Sequence, residues 1–211
     1  MLWKSTPKPR SGRPLHVGAG QARIDGWTNI DIQPHPNVDE VLDIRDGLPF
    51  DDAPYIFAEH FIEHLSYAEG LAFLRECRRV LRDDGRLRMS TPNLDWVWLT
   101  QYHFGQWASE AEAVRDCFWM NRGFRGWGHQ FLYNLAALSA VLKLAGFRDV
   151  EACRYGESSI PFLQGLERHE RYLDTPDLPH VIIVEASGRE KKRDKEMLRH
   201  ANDYLEALDA G

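Results

Sequence analysis

Short apolar runs separated by turn-forming residues make up most of the hydrophobic pattern of the chain. Continuous apolar runs of this length are typical of strands that are buried on both faces, as in a parallel sheet. We predict seven such strands, at residues 14–17, 27–32, 38–44, 54–58, 86–90, 148–152 and 180–186.

Helical spacing replaces this pattern in three parts of the chain. Apolar residues recur every three or four positions from Tyr67 onward and predict an amphipathic helix. Ser66 and Glu69 have the spacing of a capping box, which marks the start of that helix. A second helix is predicted over residues 134–144, and a C-terminal helix within residues 189–211.

The alternation of strands and helices predicts an α/β fold with a mostly parallel sheet and right-handed crossovers. We expect a flexible N-terminal lead at residues 1–13, one domain over residues 14–188 and the C-terminal helix at 189–211. Within the domain, residues 95–128 are rich in Trp, Phe and Gly and lack a regular period, so we predict an irregular insertion there. In such folds the ligand lies at the carboxyl ends of the strands.

Charge and cysteine content narrow the class of protein. The 211 residues include 32 Asp or Glu and 26 Lys or Arg, a net charge of −6, and an acidic chain lacks the electrostatic footprint of a nucleic-acid-binding protein. No apolar run approaches the roughly 20 residues that span a bilayer, and residues 1–13 lack the apolar core of a secretory signal. The three widely spaced cysteines form no disulfide framework or metal-binding motif, so we expect a cytoplasmic protein.

A glycine turn directly follows the first predicted strand. Gly18-Ala19-Gly20 permits a tight turn and a close approach of the backbone to a ligand. Asp31 ends the second strand, where a carboxylate accepts hydrogen bonds from ribose hydroxyl groups. The dinucleotide fingerprint is not met, because Arg23 replaces its third glycine and Asp31 follows too soon. A nucleoside ligand without phosphates is therefore favoured, and a structural aspartate at a strand end is the alternative.

Further polar residues follow the third and fourth strands. We expect Asp43 to accept a hydrogen bond from an adenine amino group and Ile44 to lie against the base. Residues 59–64 hold two carboxylates and two imidazoles, and three roles are open for them. If this segment is helical, His60 and His64 lie one turn apart and share a metal with Glu59 or Glu63, which is the least favoured role. The others are a general base or substrate-orienting histidine, and a structural role in the loop.

These segments together resemble the class I S-adenosylmethionine-dependent methyltransferases, and in particular a subgroup of short bacterial enzymes associated with glycan and secondary-metabolite pathways. The resemblance covers residues 14–95 and depends on the order and spacing of its motifs. The motifs are Leu15-His16-Val17-Gly18-Ala19-Gly20, Gly26-Trp27-Thr28-Asn29-Ile30-Asp31, Leu48-Pro49-Phe50, Ile62-Glu63-His64-Leu65 and Pro92-Asn93-Leu94.

The resemblance implies a Rossmann-like sheet of seven strands in the order 3-2-1-4-5-7-6, with the last strand antiparallel and helices on both faces. It also implies S-adenosyl-L-methionine as the cofactor. The residues that it places around this cofactor are His16, Gly18, Ala19, Gly20, Asp31, Ile32, Asp43, Ile44, Glu59 and His60. His16 departs from the subgroup, which often has Asn there, and would contact the cofactor carboxylate or pack in the interior.

Methyl transfer from a sulfonium requires mainly positioning, and a base when the acceptor is a hydroxyl group. The candidates are His60, His64 and His129 as the base and Tyr133 as the residue that orients the acceptor. We expect the acceptor site to be built from residues 95–128 and 155–179, since the aromatic residues of the first segment suit sugar rings or planar groups. A lid, a subsidiary core or a homodimer interface is the alternative role of these aromatic residues.

The sequence thus predicts a cytoplasmic methyltransferase that acts on a small molecule, such as a sugar, a glycan precursor or a secondary metabolite. Neither a nucleic acid nor a membrane is expected as a partner. A nucleoside-binding module without catalysis is the first alternative. A metal-dependent hydrolase that uses Glu59–His64 is the second and less favoured one.

Overall fold

Seven strands form the central sheet of the protein. The computed structural model describes residues 10–169, 178–191 and 194–209. The strands are β1 (Leu15–Val17), β2 (Thr28–Asp31), β3 (Glu40–Val41), β4 (Ala53–Glu59), β5 (Leu81–Pro92), β6 (Asp149–Cys153) and β7 (Val181–Ser187). Their order across the sheet is 3-2-1-4-5-7-6, and β7 is antiparallel to both of its neighbours. The predicted fold class and strand order are therefore confirmed.

Parallel pairing brings the carboxyl ends of β1, β2, β4 and β5 to one edge of the sheet. Asp31 and Glu59 are the last residues of β2 and β4 and lie at this edge. The antiparallel strand β7 begins at the same edge, because its first residue, Val181, pairs with Pro92 at the end of β5. Side chains from both strand directions therefore converge there.

Five α-helices accompany the sheet in the described residues. They are α1 (Tyr67–Val80), α2 (Leu94–Gln101), α3 (Glu110–Arg125), α4 (Leu135–Ala145) and α5 (Lys195–Asp209). Short 3₁₀ helices lie at Ile44–Asp46, Ile62–His64, Gly126–Gly128 and Pro161–Leu163. In this part of the chain, no helix combines the length and the apolar character needed to cross a membrane.

The helix ends carry the signals that the sequence predicts. The backbone N–H of Ser66 donates to the Glu69 carboxylate at 2.9 Å, and the backbone N–H of Glu69 donates to the Ser66 hydroxyl at 3.3 Å, which completes the capping box of α1. The Asn134 side chain caps α4 by accepting from the Ala137 amide at 2.9 Å. Gly146 ends α4 with a φ of 104°, a conformation that glycine adopts without strain.

The prediction of an irregular segment at residues 95–128 is wrong, because α2 and α3 occupy most of it. Ser109 caps α3 by accepting a hydrogen bond from the backbone N–H of Glu112 at 3.3 Å. The buried residues are Val97 in α2 and Asp116 and Met120 in α3. Most other large apolar side chains of the two helices are exposed, so burial in the main core does not mark these helices in the sequence.

Successive strand residues point to opposite faces of the sheet, and the two faces are built differently. On the first face α1 packs against α4, and α4 against α5. The main core lies between these helices and the strands, and it includes Leu15, Ile30 and Ile56 together with Leu74 of α1 and Leu142 of α4.

The second face is covered by loops in the described part of the chain. Phe57 points to this face and forms a small cluster with Trp27 and Leu163. The cover includes the 3₁₀ helix Pro161–Leu163, in a place where the prediction puts α-helices. The connection between β1 and β2, residues 18–27, forms a loop without a helix, which agrees with the short spacing between the glycine turn and Asp31.

A buried ion network lies on the second face. Arg88 is fully buried in β5, and its guanidinium donates to Glu167 at 2.6 Å and to Glu185 at 2.7 Å. Both carboxylates are also buried. The network therefore joins the segment before β7 to the centre of the sheet.

The end of the predicted flexible lead is attached to the body of the protein. Arg10–Ser11 forms a short parallel ladder with Phe50–Asp51. Residues 1–9 lie outside the described part of the chain.

Replacement of Arg88 by methionine should lower the free energy of unfolding by about 3 to 5 kcal/mol, because it leaves two buried carboxylates without their shared cation. Urea denaturation followed by tryptophan fluorescence measures this change. Arg148→Met is the matched control, since Arg148 and Asp149 form an exposed pair that contributes about 0 to 1 kcal/mol. Equal losses in the two variants would contradict the assignment.

Candidate active site

A cavity of about 370 Å³ opens at the carboxyl ends of the first strands. We call it the strand-end cavity. Seven of the predicted site residues line it, namely Gly18, Asp31, Ile32, Asp43, Ile44, His60 and His64. Its remaining lining includes Arg45, Phe61 and Gln130, which the sequence analysis does not predict. The cavity lies where ligands bind in open α/β sheets.

The glycine turn closes back onto β2. The backbone N–H of Ala19 donates to the Ile30 carbonyl at 3.0 Å, and that of Gly20 to the Asp31 carboxylate at 2.8 Å. Gly18 has a φ of 70°, and a Cβ atom added there would lie 2.5 Å from Cδ2 of Phe61. Only glycine fits this position, because the Phe61 ring packs directly against the Cα atom of Gly18.

Asp31 has the acceptor geometry that a diol ligand requires. One carboxylate oxygen accepts from Gly20, and the other accepts from the backbone N–H of Gln33 at 2.8 Å. Each carboxylate oxygen has two lone pairs, so both retain capacity for a ligand hydroxyl. The two backbone bonds hold the carboxylate at the rim of the strand-end cavity.

Asp43 is held by a neighbour that the sequence analysis did not assign. The Arg45 guanidinium donates to both carboxylate oxygens of Asp43, with the shortest contact at 2.6 Å. The hydrogen bonds from the Arg45 side chain and amide lower the pKa of Asp43. Ile44 is nearly buried, whereas Ile32 is half exposed, so they offer apolar surface at different depths of the cavity.

His16 lies away from the strand-end cavity. Its side chain points to the second face of the sheet, where its ring stacks on Phe57 at 5.5 Å between centroids and Nδ1 lies 3.0 Å from Oδ1 of Asn29. The Asn29 oxygen only accepts, so Nδ1 carries the proton. Of the two roles open for His16, the structure favours interior packing over cofactor contact.

A second cavity of about 340 Å³ adjoins the first. We call it the histidine cavity, and its lining is His60, Glu63, His64, Trp127 and His129. His60 and His64 line both cavities, so the two spaces are contiguous.

The segment from Glu59 to His64 is not a continuous helix, so the shared helical turn of His60 and His64 does not form. Glu59 ends β4, His60 has a φ of 47°, and a 3₁₀ helix follows at Ile62–His64. The Nδ1 atom of His60 lies 3.2 Å from Oε1 of Glu63, while its Nε2 atom is buried without a protein partner. A left-handed conformation at a bulky residue stores strain and is frequent at functional sites.

His129 is oriented by a backbone carbonyl. Its Nδ1 atom lies 2.9 Å from the carbonyl oxygen of Gly123, so Nδ1 donates and Nε2 carries the lone pair. The His129 ring meets the His64 ring edge-on, with 5.2 Å between centroids.

Tyr133 and Glu59 are placed differently from the prediction. Tyr133 is fully buried in the main core, and burial raises the pKa of its hydroxyl, so it is not available to orient an acceptor. Glu59 accepts from the amides of Arg168 and His169 and from Nδ1 of His169, at 2.7, 3.1 and 2.7 Å. Burial opposes its ionisation, but these hydrogen bonds dominate and lower the pKa of Glu59. Glu59 therefore anchors the loop that closes the edge of the sheet.

Two histidines that the sequence analysis did not assign complete this edge. The His169 ring lies 4.9 Å from the His60 ring and 5.6 Å from the His180 ring. His180 directly precedes β7, so the antiparallel direction of this strand is the signal that would place it here.

Residues 95–128, the segment rich in Trp and Phe, contribute one residue to the two cavities. Trp127 lines the histidine cavity and has a φ of 56°. The other large exposed apolar residues from α2 to Phe124 are Trp98, Leu99, Phe104, Val114, Phe118, Trp119 and Phe124. Of residues 95–128, only Trp127 is among the lining residues of the two cavities.

Comparison with solved structures identifies the fold. YcgJ from Bacillus subtilis matches with a TM-score of 0.51 and 16% identity, over 89% of this chain and 96% of that protein. The DhpI–SAH complex matches with a TM-score of 0.50 and 12% identity, over 84% of this chain and 77% of that one. The citrinin polyketide synthase CMeT domain matches with a TM-score of 0.47 and 15% identity over 86% of this chain, which spans 47% of that structure. No protein-family model and no curated protein matches the chain.

The chain therefore has the class I S-adenosylmethionine-dependent methyltransferase fold. This confirms the fold that the resemblance of residues 14–95 implies. The chain spans about half the length of several of the other structures that it matches.

Acid should destabilise the protein through His16. Burial lowers the pKa of His16 from its ordinary value of 6.5, so the unfolded state binds this proton more readily than the folded state. The free energy of unfolding should therefore fall as the pH decreases below about 6.5. Urea denaturation at about pH 7.5 and about pH 5.5 measures the loss, which should be smaller in His16→Gln. The exposed His200 provides the control variant, His200→Gln, which should keep the native pH dependence.

Proposed function

We propose that this protein is a methyltransferase that uses S-adenosyl-L-methionine to methylate a small molecule. The observation that carries the proposal is the convergence of the Gly18–Gly20 turn, Asp31, Asp43 and Ile44 around one cavity at the carboxyl edge of a class I sheet. A nucleoside site needs a hydrogen-bond acceptor for the ribose hydroxyls, apolar surface for the base and a turn whose backbone the ligand can approach closely. These residues supply all three.

Each residue has a specific task in this proposal. The Asp31 carboxylate, held by two amides, accepts hydrogen bonds from the ribose hydroxyls. Ile32 and Ile44 provide apolar surface for the adenine ring, and Asp43 accepts from its amino group while Arg45 keeps Asp43 ionised. When bound, the cofactor supplies an electrophilic methyl group on a positively charged sulfur atom.

His60 is the proposed general base. It lies where the strand-end cavity meets the histidine cavity, so it borders both the cofactor and the acceptor spaces of this proposal. Glu63 holds Nδ1, and the buried Nε2 atom has no protein partner in the described part of the chain. A hydroxyl acceptor would transfer its proton to Nε2 after a small rotation of the His60 ring exposes this atom to the cavity. The acceptor oxygen would take the methyl group, the methyl–sulfur bond would break, and S-adenosylhomocysteine would leave.

The histidine cavity is the proposed acceptor site. Its volume of about 340 Å³ suits a small molecule, and the exposed indole of Trp127 suits the face of a sugar ring. A sugar, glycan precursor or secondary metabolite is therefore the proposed acceptor class.

We also propose that the protein acts in the cytoplasm and forms a homodimer. Cys77, Cys117 and Cys153 are all free thiols, which supports a reducing compartment. The exposed aromatic surface of α2 and α3, which includes Trp98 and Phe118, supports a homodimer contact.

S-adenosylhomocysteine should bind to the purified protein in isothermal titration calorimetry. The Asp31→Asn variant keeps an oxygen for the Gly20 amide but removes the charge and the acceptor of the Gln33 amide. Charge-assisted hydrogen bonds contribute about 1.5 to 3 kcal/mol. Affinity should therefore fall roughly 10- to 100-fold. Asp84→Asn, at an exposed site outside the cavity, is the control and should bind normally. Absence of binding to the unaltered protein would overturn the proposed function.

Incubation with S-adenosylmethionine and a panel of hydroxylated small molecules should yield singly methylated products by mass spectrometry. His60→Asn should reduce the turnover rate by roughly 10²- to 10⁴-fold, the usual contribution of a general base. Asn tolerates the left-handed backbone of this position, so affinity for S-adenosylhomocysteine should change little. Tight binding without turnover on any acceptor would favour the non-catalytic nucleoside-binding module instead.

A further inference from the structure

We propose that Glu63, His64 and His129 bind a divalent transition-metal ion in the histidine cavity. One carboxylate oxygen and two imidazole nitrogens of these residues all lie within 4.8 Å of one another. They come from two distant parts of the chain, which the backbone bonds from Gln130 and Phe131 to the Glu63 carbonyl bring together at 2.7 and 3.3 Å. The binding of the ion does not depend on the proposed methyltransferase activity.

Glu63 is a buried carboxylate that lacks a Lys or Arg partner in the described part of the chain. Its side chain is fully buried, and its contacts are the Thr91 hydroxyl at 3.0 Å and the Nδ1 atom of His60 at 3.2 Å. Within residues 10–169, 178–191 and 194–209, no Lys or Arg forms an ion pair with it. In the Arg88 network, by contrast, a guanidinium neutralises the two buried carboxylates. A buried carboxylate without a cation is costly, and a metal ion shared with two imidazoles removes that cost.

Two of the three ligands are held in the way that metal ligands are held. Metal-binding histidines usually donate their second ring N–H to a carbonyl or carboxylate. His129 does so through Nδ1 to the Gly123 carbonyl at 2.9 Å, which leaves Nε2 as the ligand atom. The Thr91 hydroxyl donates to one oxygen of Glu63 and fixes the carboxylate in the same manner.

The ligand set determines the class of ion and its chemistry. Two imidazoles and one carboxylate suit Zn²⁺ and its neighbours Co²⁺ and Ni²⁺ rather than Mg²⁺ or Ca²⁺. Metal bonds of about 2.0 to 2.2 Å place ligand atoms roughly 3 to 3.5 Å apart, so small side-chain rotations close the site around the ion. Three protein ligands leave a coordination position open to the cavity, which Trp127 also lines.

The open position gives the ion a role in the proposed reaction, and this part alone rests on the proposed function. An acceptor oxygen bound there would lie in the cavity that His60 borders. A metal-bound hydroxyl loses its proton more readily than a free one. The acceptor class is thereby narrowed to molecules with a metal-coordinating oxygen.

The test is titration of Co²⁺ into protein that carries no histidine tag and has been freed of metal with a chelator. Visible absorption and calorimetry should show one ion per chain, with a Kd in the micromolar range or below. Glu63→Gln, His64→Asn and His129→Asn should each weaken binding by at least about tenfold. His103→Gln, outside both cavities and paired with Asp116, is the matched control and should bind as the unaltered protein does. Circular dichroism identifies any variant that fails to fold. If Glu63→Gln fails to fold, the conservative Glu63→Asp replaces it, and the two histidine variants still test the site.

Two results would overturn the site: no saturable binding by the unaltered protein, or binding that the three ligand variants leave unchanged. The metal titration is performed without S-adenosylhomocysteine, and the nucleoside titration is performed without metal. Metal binding without nucleoside binding would reject the proposed function and keep the metal site. Nucleoside binding without metal binding would reject the metal site and leave the proposed function standing.

Discussion

The buried carboxylate and carbonyl of Glu63 form the constraint on which both cavities depend. The side chain joins the loop after β4 to Thr91 of β5, and the backbone carbonyl receives the amides of Gln130 and Phe131. Three segments distant in sequence therefore meet at one residue that has no solvent exposure. These bonds bring the loop of His60 and the segment of His129 to the same cavity, so the arrangement of its lining depends on an interior contact.

The sheet supports this arrangement through the difference between its faces. The first face is an ordinary apolar core under helices, whereas the second carries Arg88, Glu167 and His16 beneath loops. Buried polar groups of this kind are costly unless each is paired, and when paired they restrict the chain to one arrangement. The Arg88 network holds Glu167, and the two following residues bind Glu59 at the carboxyl edge. The rim of the site is thus attached to the middle of the sheet.

Local sequence signals predict the elements whose stability is local. The capping box of α1 and the position of Asp31 follow from cap residues and strand ends, and the structure has both. The strand order is implied by the family resemblance, and the structure has that order too. The helices α2 and α3 could not be predicted in this way, because most of their side chains are exposed and are not selected by packing in the main core. Continuous apolar strands also do not reveal which face a residue occupies, so the sequence leaves both cofactor contact and interior packing open for His16. The set of Glu63, His64 and His129 depends on a long-range contact that no spacing rule encodes.

The antiparallel direction of β7 has a consequence for how this fold can diversify. The chain enters β7 from the edge at which the parallel strands end, since Val181 pairs with Pro92. The connection between Leu163 and Val181 therefore begins under the second face and ends beside His60 and His169. Residues inserted between His169 and Val181 would leave the register of every strand and the contacts of Glu167, Arg168 and His169 unchanged. A longer or shorter connection would therefore change the surface beside His60 while the sheet stays as it is.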